Sequence, residues 1–357
     1  MRLVGYALVE LGLAGLLIFG LGFVGAQGLN RLVEHWARME RTSTTSGAAG
    51  MHRRNDLSNE SAMPVPSTAT DAPGTFLGMS DDLLLERLRT QAPKRLKLNR
   101  GGSSLSFRID FADGSRAAWK PAQTNTQTVP RREVAAYRLN RLLGLSAVPP
   151  AAPRAFSKDD LFNLLHPESI SSVPRIRAET IIGPNGMVSG EASYWIPVIK
   201  DSEFDNPQGQ QQVTAWLTQG ESIPFAQRSM AAQMSILAVF DFLIANPDRH
   251  SGSNMKTSAD GSQLFFMDNT MAFFIEPEST EKNRVILLRT QRFSRRFHQA
   301  LSRVDMSILR PLMRDADGSE VLTEPELRAV IQRREYVQRY VADLIKKFGE
   351  SQVLYFP

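Results

Sequence analysis

Apolar residues follow three rhythms along this chain, and each rhythm predicts a different kind of segment. Residues 3–26 are almost wholly apolar, interrupted by Glu10 and rich in glycine, a length that suits a bilayer crossing of ~20 residues. Leu105, Phe107, Ile109 and Phe111 alternate with polar residues and lead into Asp113-Gly114. That period of two predicts a strand and a tight turn, with residues 115–120 returning as the second strand of a hairpin. A second hairpin is predicted from Met255–Thr257 and Leu264–Met267 across the turn Ala259-Asp260-Gly261, and another strand around Tyr194-Trp195-Ile196.

Helical spacing appears four times. Leu84, Leu85 and Leu88 follow Ser80, predicting a helix over 80–90 capped by that serine. Ala135, Leu139 and Leu142 mark a helix over 131–143, opened after Pro130 and stopped by Gly144. Residues 226–244 are apolar on most of their circumference, as a buried helix is. Thr323-Glu324-Pro325-Glu326 reads as a capping box ahead of a helix from Leu327 to Phe348. Strands come early and helices late, a two-lobed α+β pattern. Residues 1–26 form an anchor or signal segment and 27–75 a short juxtamembrane helix followed by a flexible Ser/Thr/Ala/Gly/Pro linker. A β-rich N-lobe is expected over 76–200 and a helical C-lobe over 201–357.

For the first segment two fates stay open. Val24-Gly25-Ala26 before Gln27 suits signal cleavage, but Arg2 alone makes a weak n-region, which favours a single-pass membrane anchor. Arg31, Arg38 and Arg41 would hold the following side in the cytoplasm, while Glu10, Glu34 and Glu40 blur that bias and leave the sidedness open. With no cysteine, the chain has no disulfides, thiolate metal sites or cysteine nucleophile. A net charge of +5 admits an anionic partner as readily as ordinary solubility. Aromatics are not interleaved with basic residues, so no nucleic-acid partner is expected.

The chemistry concentrates in two stretches, Asn246-Pro247-Asp248-Arg249-His250-Ser251-Gly252-Ser253-Asn254 and Met267-Asp268-Asn269. In a hairpin centred near Gly261, Asn254 and Asp268 share the open end beside Asp248. ATP-dependent phosphoryl transfer needs such a set: Asp248 to orient a hydroxyl, and Asp268 and Asn254 as oxygen ligands for Mg²⁺ or Mn²⁺. Turn-capping is the ordinary alternative for these side chains. Lys120 ends a strand, where it can address phosphates, and Glu133 begins the next helix, where it can pair with Lys120 or complement the helix dipole. Gly101 and Gly102 lie in a loop that either covers phosphates or is a plain turn. Arg249 and His250 are expected to support the loop. The basic segment 284–296 either receives an acidic substrate or is a solvated helix face. A kinase-fold enzyme is the expected whole.

The run Trp119-Lys120-Pro121-Ala122-Gln123-Thr124, the helix Glu133–Leu143 and Val148-Pro149-Pro150 resemble the N-lobe signature of the secretory-pathway kinases. That atypical kinase family includes the Golgi casein kinase, the glycosaminoglycan xylosylkinase and the four-jointed kinase. Phe240–Asn246, Asp248-Arg249-His250 and Asp268-Asn269 are similar to its C-lobe signature, so the resemblance spans Leu105 to Phe274. It implies a protein-kinase-like fold, ATP with Mg²⁺ or Mn²⁺, and a hydroxyl acceptor on protein or carbohydrate. It also implies Lys120 on the phosphates, Glu133 pairing with it or approaching metal, and Gln123 lining the nucleotide site. Asp248 becomes the catalytic carboxylate and Asp268 the metal ligand; independently of the resemblance, the strand around Tyr194-Trp195-Ile196 is placed to serve as the connector against which adenine stacks. Asn254 departs from the pattern, standing six residues after Asp248 where kinases use the fifth, here Ser253. That departure keeps a pseudokinase open, and the apolar segment keeps a phosphoinositide-type lipid kinase open. The family's animal members are disulfide-rich, so a chain without cysteine is expected to be a bacterial relative.

Overall fold

The computed structural model describes residues 74–250 and 254–357. The expected membrane anchor and most of the linker lie outside the described residues, as does Ser253. Among the described residues no helix is long and apolar enough to cross a membrane.

The first half of this region builds α1 (Asp81–Thr90), β1 (Pro93–Leu98), β2 (Phe107–Phe111), β3 (Arg116–Pro121), α2 (Arg131–Leu142), β4 (Ala151–Pro153) and β5 (Gly190–Tyr194). The five strands form one antiparallel sheet in the order β1-β2-β3-β5-β4. Its register follows from the alternation read in the sequence: Phe107, Ile109 and Phe111 are buried, with Phe107 opposite Trp119 and Ile109 opposite Ala117. Trp119 packs edge-on against Phe156, ring centres 4.8 Å apart at 88°, so truncating it would cost about 3–5 kcal/mol. β5 can lie close to β3 because residue 190 is glycine. A Cβ there would sit 2.7 Å from the Trp119 indole nitrogen and closer still to the Lys120 carbonyl.

Residues 195–198 carry the chain out of this sheet. The strand stops at Tyr194, which corrects the expectation that it continues through Ile196. β6 (Ile199–Asp201) then begins a second, three-stranded antiparallel sheet with β7 (Met255–Ser258) and β8 (Leu264–Phe266). Around it pack α3 (Arg228–Ile244), α4 (Glu281–Arg289) and α5 (Glu324–Phe348). Met234, Leu237, Phe240 and Leu243 of α3 are all buried, as its apolar circumference requires. α5 opens with the expected capping box, Thr323 and Glu326 bonding reciprocally. Ser80 does stand at the N-cap of α1, but its side chain makes no cap bond; Asp81 and Asp82 supply negative charge to that first turn instead.

α2 belongs to the N-lobe by sequence yet is clamped to the helical lobe. The Glu326 carboxylate accepts hydrogen bonds from Arg131 at 2.7 and 3.0 Å and from Arg132 at 3.0 and 3.1 Å. Further along, Arg138 donates to the Leu312 carbonyl at 3.0 Å and pairs with Asp315. Just before the helix, the Val129 N–H reaches the Thr270 carbonyl at 3.1 Å. These bonds fix where Glu133, in the first turn of α2, can point.

Candidate active site

α3 ends at Ala245 in the left-handed region, φ 48°, and this reversal throws the following residues across the end of β7 and β8. Arg249, 0% exposed, fixes them there. Its guanidinium bonds both oxygens of Asp241 on α3 at 3.1–3.2 Å, the Asn254 carbonyl at 3.2 Å and the Asn269 side-chain oxygen at 2.5 Å, and it also reaches the Met267 carbonyl. One cation thus joins the helix, the loop and both hairpin strands. Burial pushes the Asp241 carboxyl upward, against the pull of Arg249. Within the loop, the Asp248 N–H bonds the Asn246 side-chain oxygen at 3.0 Å. The Asn254 amide donates to the Asp248 carboxylate at 2.9 Å and to its carbonyl at 3.1 Å. The Met267 N–H bonds the Asn254 carbonyl at 3.3 Å, so Asp248, Asn254 and Asp268 do meet at the open end of the hairpin.

Asp268 has φ 52°, a strained setting for a residue with a side chain. This turns its carboxylate toward β3. The Lys120 ammonium donates to it at 2.5 Å and to the Thr270 hydroxyl at 3.3 Å, and that hydroxyl donates to the same Asp268 oxygen at 2.8 Å. The lysine side chain is 11% exposed and the aspartate 38%, so the pair sits with its acid facing outward. Burial opposes the Lys120 charge, but Asp268 and Glu133 outweigh it and raise the ammonium's pKa. Burial likewise opposes the Asp268 charge, and Lys120 prevails, holding that carboxyl below its usual range.

The expected Lys120–Glu133 pair does not form. Clamping of α2 to the helical lobe delivers the Glu133 carboxylate to the 268–270 segment, where it takes the Asn269 N–H at 2.5 Å and the Asn269 amide at 2.9 Å. Burial and then the Asp268 charge push the Glu133 carboxyl up. Gln123 turns its polar atoms inward: its oxygen accepts the Leu105 N–H at 2.7 Å and its amide donates to the carbonyls of Leu105 and Pro121 at 3.0 and 3.1 Å, so they brace the sheet. Gly101 and Gly102 occupy the exposed loop between β1 and β2, both in the left-handed region at φ 87° and 81°. The basic segment 284–296 is not a uniform receiving face: Arg292 is buried and bonds the Trp216 and Glu221 carbonyls at 2.9 and 2.7 Å, while Arg284 and Arg295 pair with Glu281 and Glu350. His250 is held down to about 4 by burial, and so is a neutral packing group under the loop.

No family model matches the chain. A mouse protein described as "Pseudokinase FAM20A" is 23% identical over 307 residues, covering 71% of this chain and 56% of the relative, so the chain spans about half the length of that curated protein. A Golgi casein kinase structure superposes with a TM-score of 0.57 at 15% identity, over 77% of this chain and 78% of that one. The same kinase with Mn/ADP bound gives 0.58 at 15% identity, again over 77% and 78%. A hydra Fam20 with sugar gives 0.56 at 17% identity, over 76% of this chain and 90% of that one. This chain shares the fold of these Fam20 kinase structures and is similar in sequence to FAM20A. The kinase-like α+β fold expected from the sequence is the observed one.

One residue of this kinase-like fold escaped the sequence reading. Glu191 on β5 stands directly opposite Lys120 on β3, is 1% exposed, and leaves its Oε2 without a hydrogen-bond partner. Burial, with Glu133 adding to it, drives this carboxyl far above its ordinary range. The available signal was a lone acid inside Gly190–Tyr194. Only the β3–β5 pairing, which crosses about 70 residues of chain, turns it toward Lys120.

Proposed function

We propose that this chain is an ATP- and divalent-metal-dependent kinase that transfers the γ-phosphate to a hydroxyl on a protein or carbohydrate. The observation that carries the reading is the meeting of Asp248, Asn254, Asp268 and Lys120 where β3 reaches the open end of the β7–β8 hairpin. Lys120 addresses the ATP phosphates, and the N–H groups of the loop holding Gly101 and Gly102 cover them. Asp268 and the side-chain oxygen of Asn254 are the candidate metal ligands. Hard oxygen donors suit Mg²⁺ or Mn²⁺. Among the described residues no group of three or more His, Cys, Asp or Glu forms a ready cage, which fits a cation shared with substrate phosphates rather than one held by protein alone. Such a cation would neutralise charge developing on the transferred phosphoryl oxygens. Asp248 orients the acceptor hydroxyl and receives its proton, with the Asn254 amide fixing the carboxylate. Arg249 and Glu133 hold the 246–250 and 268–270 segments in place.

The solved neighbours support the acceptor class only as far as their descriptions go, one being a casein kinase and another a Fam20 with sugar. A second reading has a specific observation behind it. The Lys120–Asp268 pair occupies the proposed metal ligand, and the curated relative is itself described as a pseudokinase. Nucleotide binding without turnover is that reading. Residues 3–26 are proposed to tether the domain to a membrane, which a C-terminal reporter fusion would test for presence and side. For the main proposal, the full-length protein is incubated with γ-labelled ATP and Mg²⁺ or Mn²⁺, beside Asp248→Ala. Label transfer or ATP turnover that disappears in the variant supports the kinase; metal-dependent binding with no turnover supports the pseudokinase.

A further inference from the structure

The Lys120 ammonium is in the wrong place for a phosphate-binding role. It rests on Asp268 at 2.5 Å, the carboxylate meant for a metal. A dication and an ammonium sharing one carboxylate repel, so the lysine must leave or the metal cannot bind well. In a buried setting it needs another acceptor within reach of β3.

Two carboxylates are close enough in the fold to be considered. Glu133 has both oxygens engaged, one by the Asn269 N–H at 2.5 Å and one by its amide at 2.9 Å, and drawing it to Lys120 would release the 268–270 segment. Glu191 is committed only in part: the Ser193 side chain bonds its carboxyl, and no bond ties it to the 268–270 segment. It is the direct cross-strand partner of Lys120, on the same face of the sheet, where paired side chains leave the backbone ~5 Å apart. On its other flank it faces Pro153, which brings no charge. Its Oε2 is buried and without a partner. A buried oxygen left bare beside a lysine is a costly arrangement unless it is used in another state.

Resting on the kinase reading, we propose that Glu191 is a positioning residue: it provides the second seat of the Lys120 ammonium once a divalent cation takes Asp268. The lysine then stays charged and stays aimed into the cleft at phosphate, while Asp268 is freed for the metal. Glu191 itself touches neither.

The test reads Mn²⁺ affinity of the full-length protein without nucleotide, from the free-ion electron paramagnetic resonance signal. Four proteins are compared: wild type, Glu191→Gln, Lys120→Met and the double variant. Glu191→Gln is expected to weaken Mn²⁺ binding about tenfold where Lys120 is present and to have no effect where Lys120 is methionine. Equal weakening in both backgrounds makes Glu191 a direct ligand and overturns the proposal; no weakening in either does so too. If the wild type binds Mn²⁺ only when ADP is present, the same four proteins are compared with ADP; a wild type that binds Mn²⁺ neither alone nor with ADP overturns the kinase reading itself, which distinguishes the two failures. A second measurement needs no Glu191 variant. The ¹⁵N resonance of the Lys120 ammonium, assigned by its loss in Lys120→Met, should shift on saturation with Mg²⁺, and a resonance that stays in place overturns the proposal.

Discussion

Two buried cations lie on either side of the 267–269 segment, and they are built in opposite ways. Arg249 is completely enclosed and completely answered, with a carboxylate, two carbonyls and an amide oxygen around its guanidinium. Lys120 is enclosed among Glu133, Glu191 and Asp268, yet it bonds Asp268 and Thr270, and one of the other acids keeps a bare oxygen. The first cluster has one arrangement that satisfies every group, so it fixes a shape. The second gathers three acids around one cation and holds a strained aspartate, features that accumulate where a ligand completes the arrangement. Burial alone does not separate structural from functional charge; the completeness of the pairing does.

Four substitutions would break or sharpen that contrast. The largest effect is expected for Asp248→Ala, which should lower phosphate transfer about 10²- to 10⁴-fold while leaving the thermal midpoint nearly unchanged. If turnover survives, Asp248 is not the catalytic carboxylate. Arg249→Met should instead remove about 3–5 kcal/mol of stability in urea unfolding, because it strands the buried Asp241 carboxylate. A small loss there would show the two clusters to be alike after all. Gln123→Ala should cost about 1–3 kcal/mol by orphaning buried backbone groups of Leu105 and Pro121, with nucleotide affinity unaltered. Weaker nucleotide binding in the folded variant would return Gln123 to the site.

The smallest effect concerns pH. Asp268 has a lowered folded pKa, so its contribution to stability is present above its unfolded value near 3.8 and is lost as pH falls through the folded one. Lys120 has a raised folded pKa, so its contribution holds below 10.5 and fades only as pH rises beyond that. Glu191 has the opposite sign to Asp268. The folded protein keeps its proton longer than the unfolded chain does, so stability falls as pH rises from about 4.5. Glu191→Gln should therefore flatten the decline of stability between pH 4.5 and 8 that the wild type shows. An unchanged slope would mean that Glu191 ionises as easily folded as unfolded.

Local pattern made much of this legible in the sequence. Alternation at 105–111 set the register that buries Phe107 and Trp119, and the Thr323–Glu326 spacing predicted the cap of α5. Hairpin symmetry brought Asn254 and Asp268 to one end beside Asp248, because the turn at Gly261 determines which residues face each other. What stayed hidden depends on long-range placement. Glu133 was expected on Lys120, but Arg131 and Arg132 anchor its helix to Glu326, 195 and 194 residues further along the chain, and the acid reaches Asn269 instead. Glu191 was invisible for the same reason. Gln123 looked like a site residue by position, while its bonds run inward to Leu105, a neighbour that only the folded sheet creates.

The central claim is that Asp268 and its neighbours hold a cation together with nucleotide. It is tested most directly by calorimetric titration of the full-length protein with ATP, with and without Mn²⁺, for wild type and Asp268→Ala. The account predicts nucleotide binding that strengthens with Mn²⁺ in the wild type and loses that dependence in the variant. Binding that responds to Mn²⁺ equally in both proteins, or no nucleotide binding in either, would contradict it.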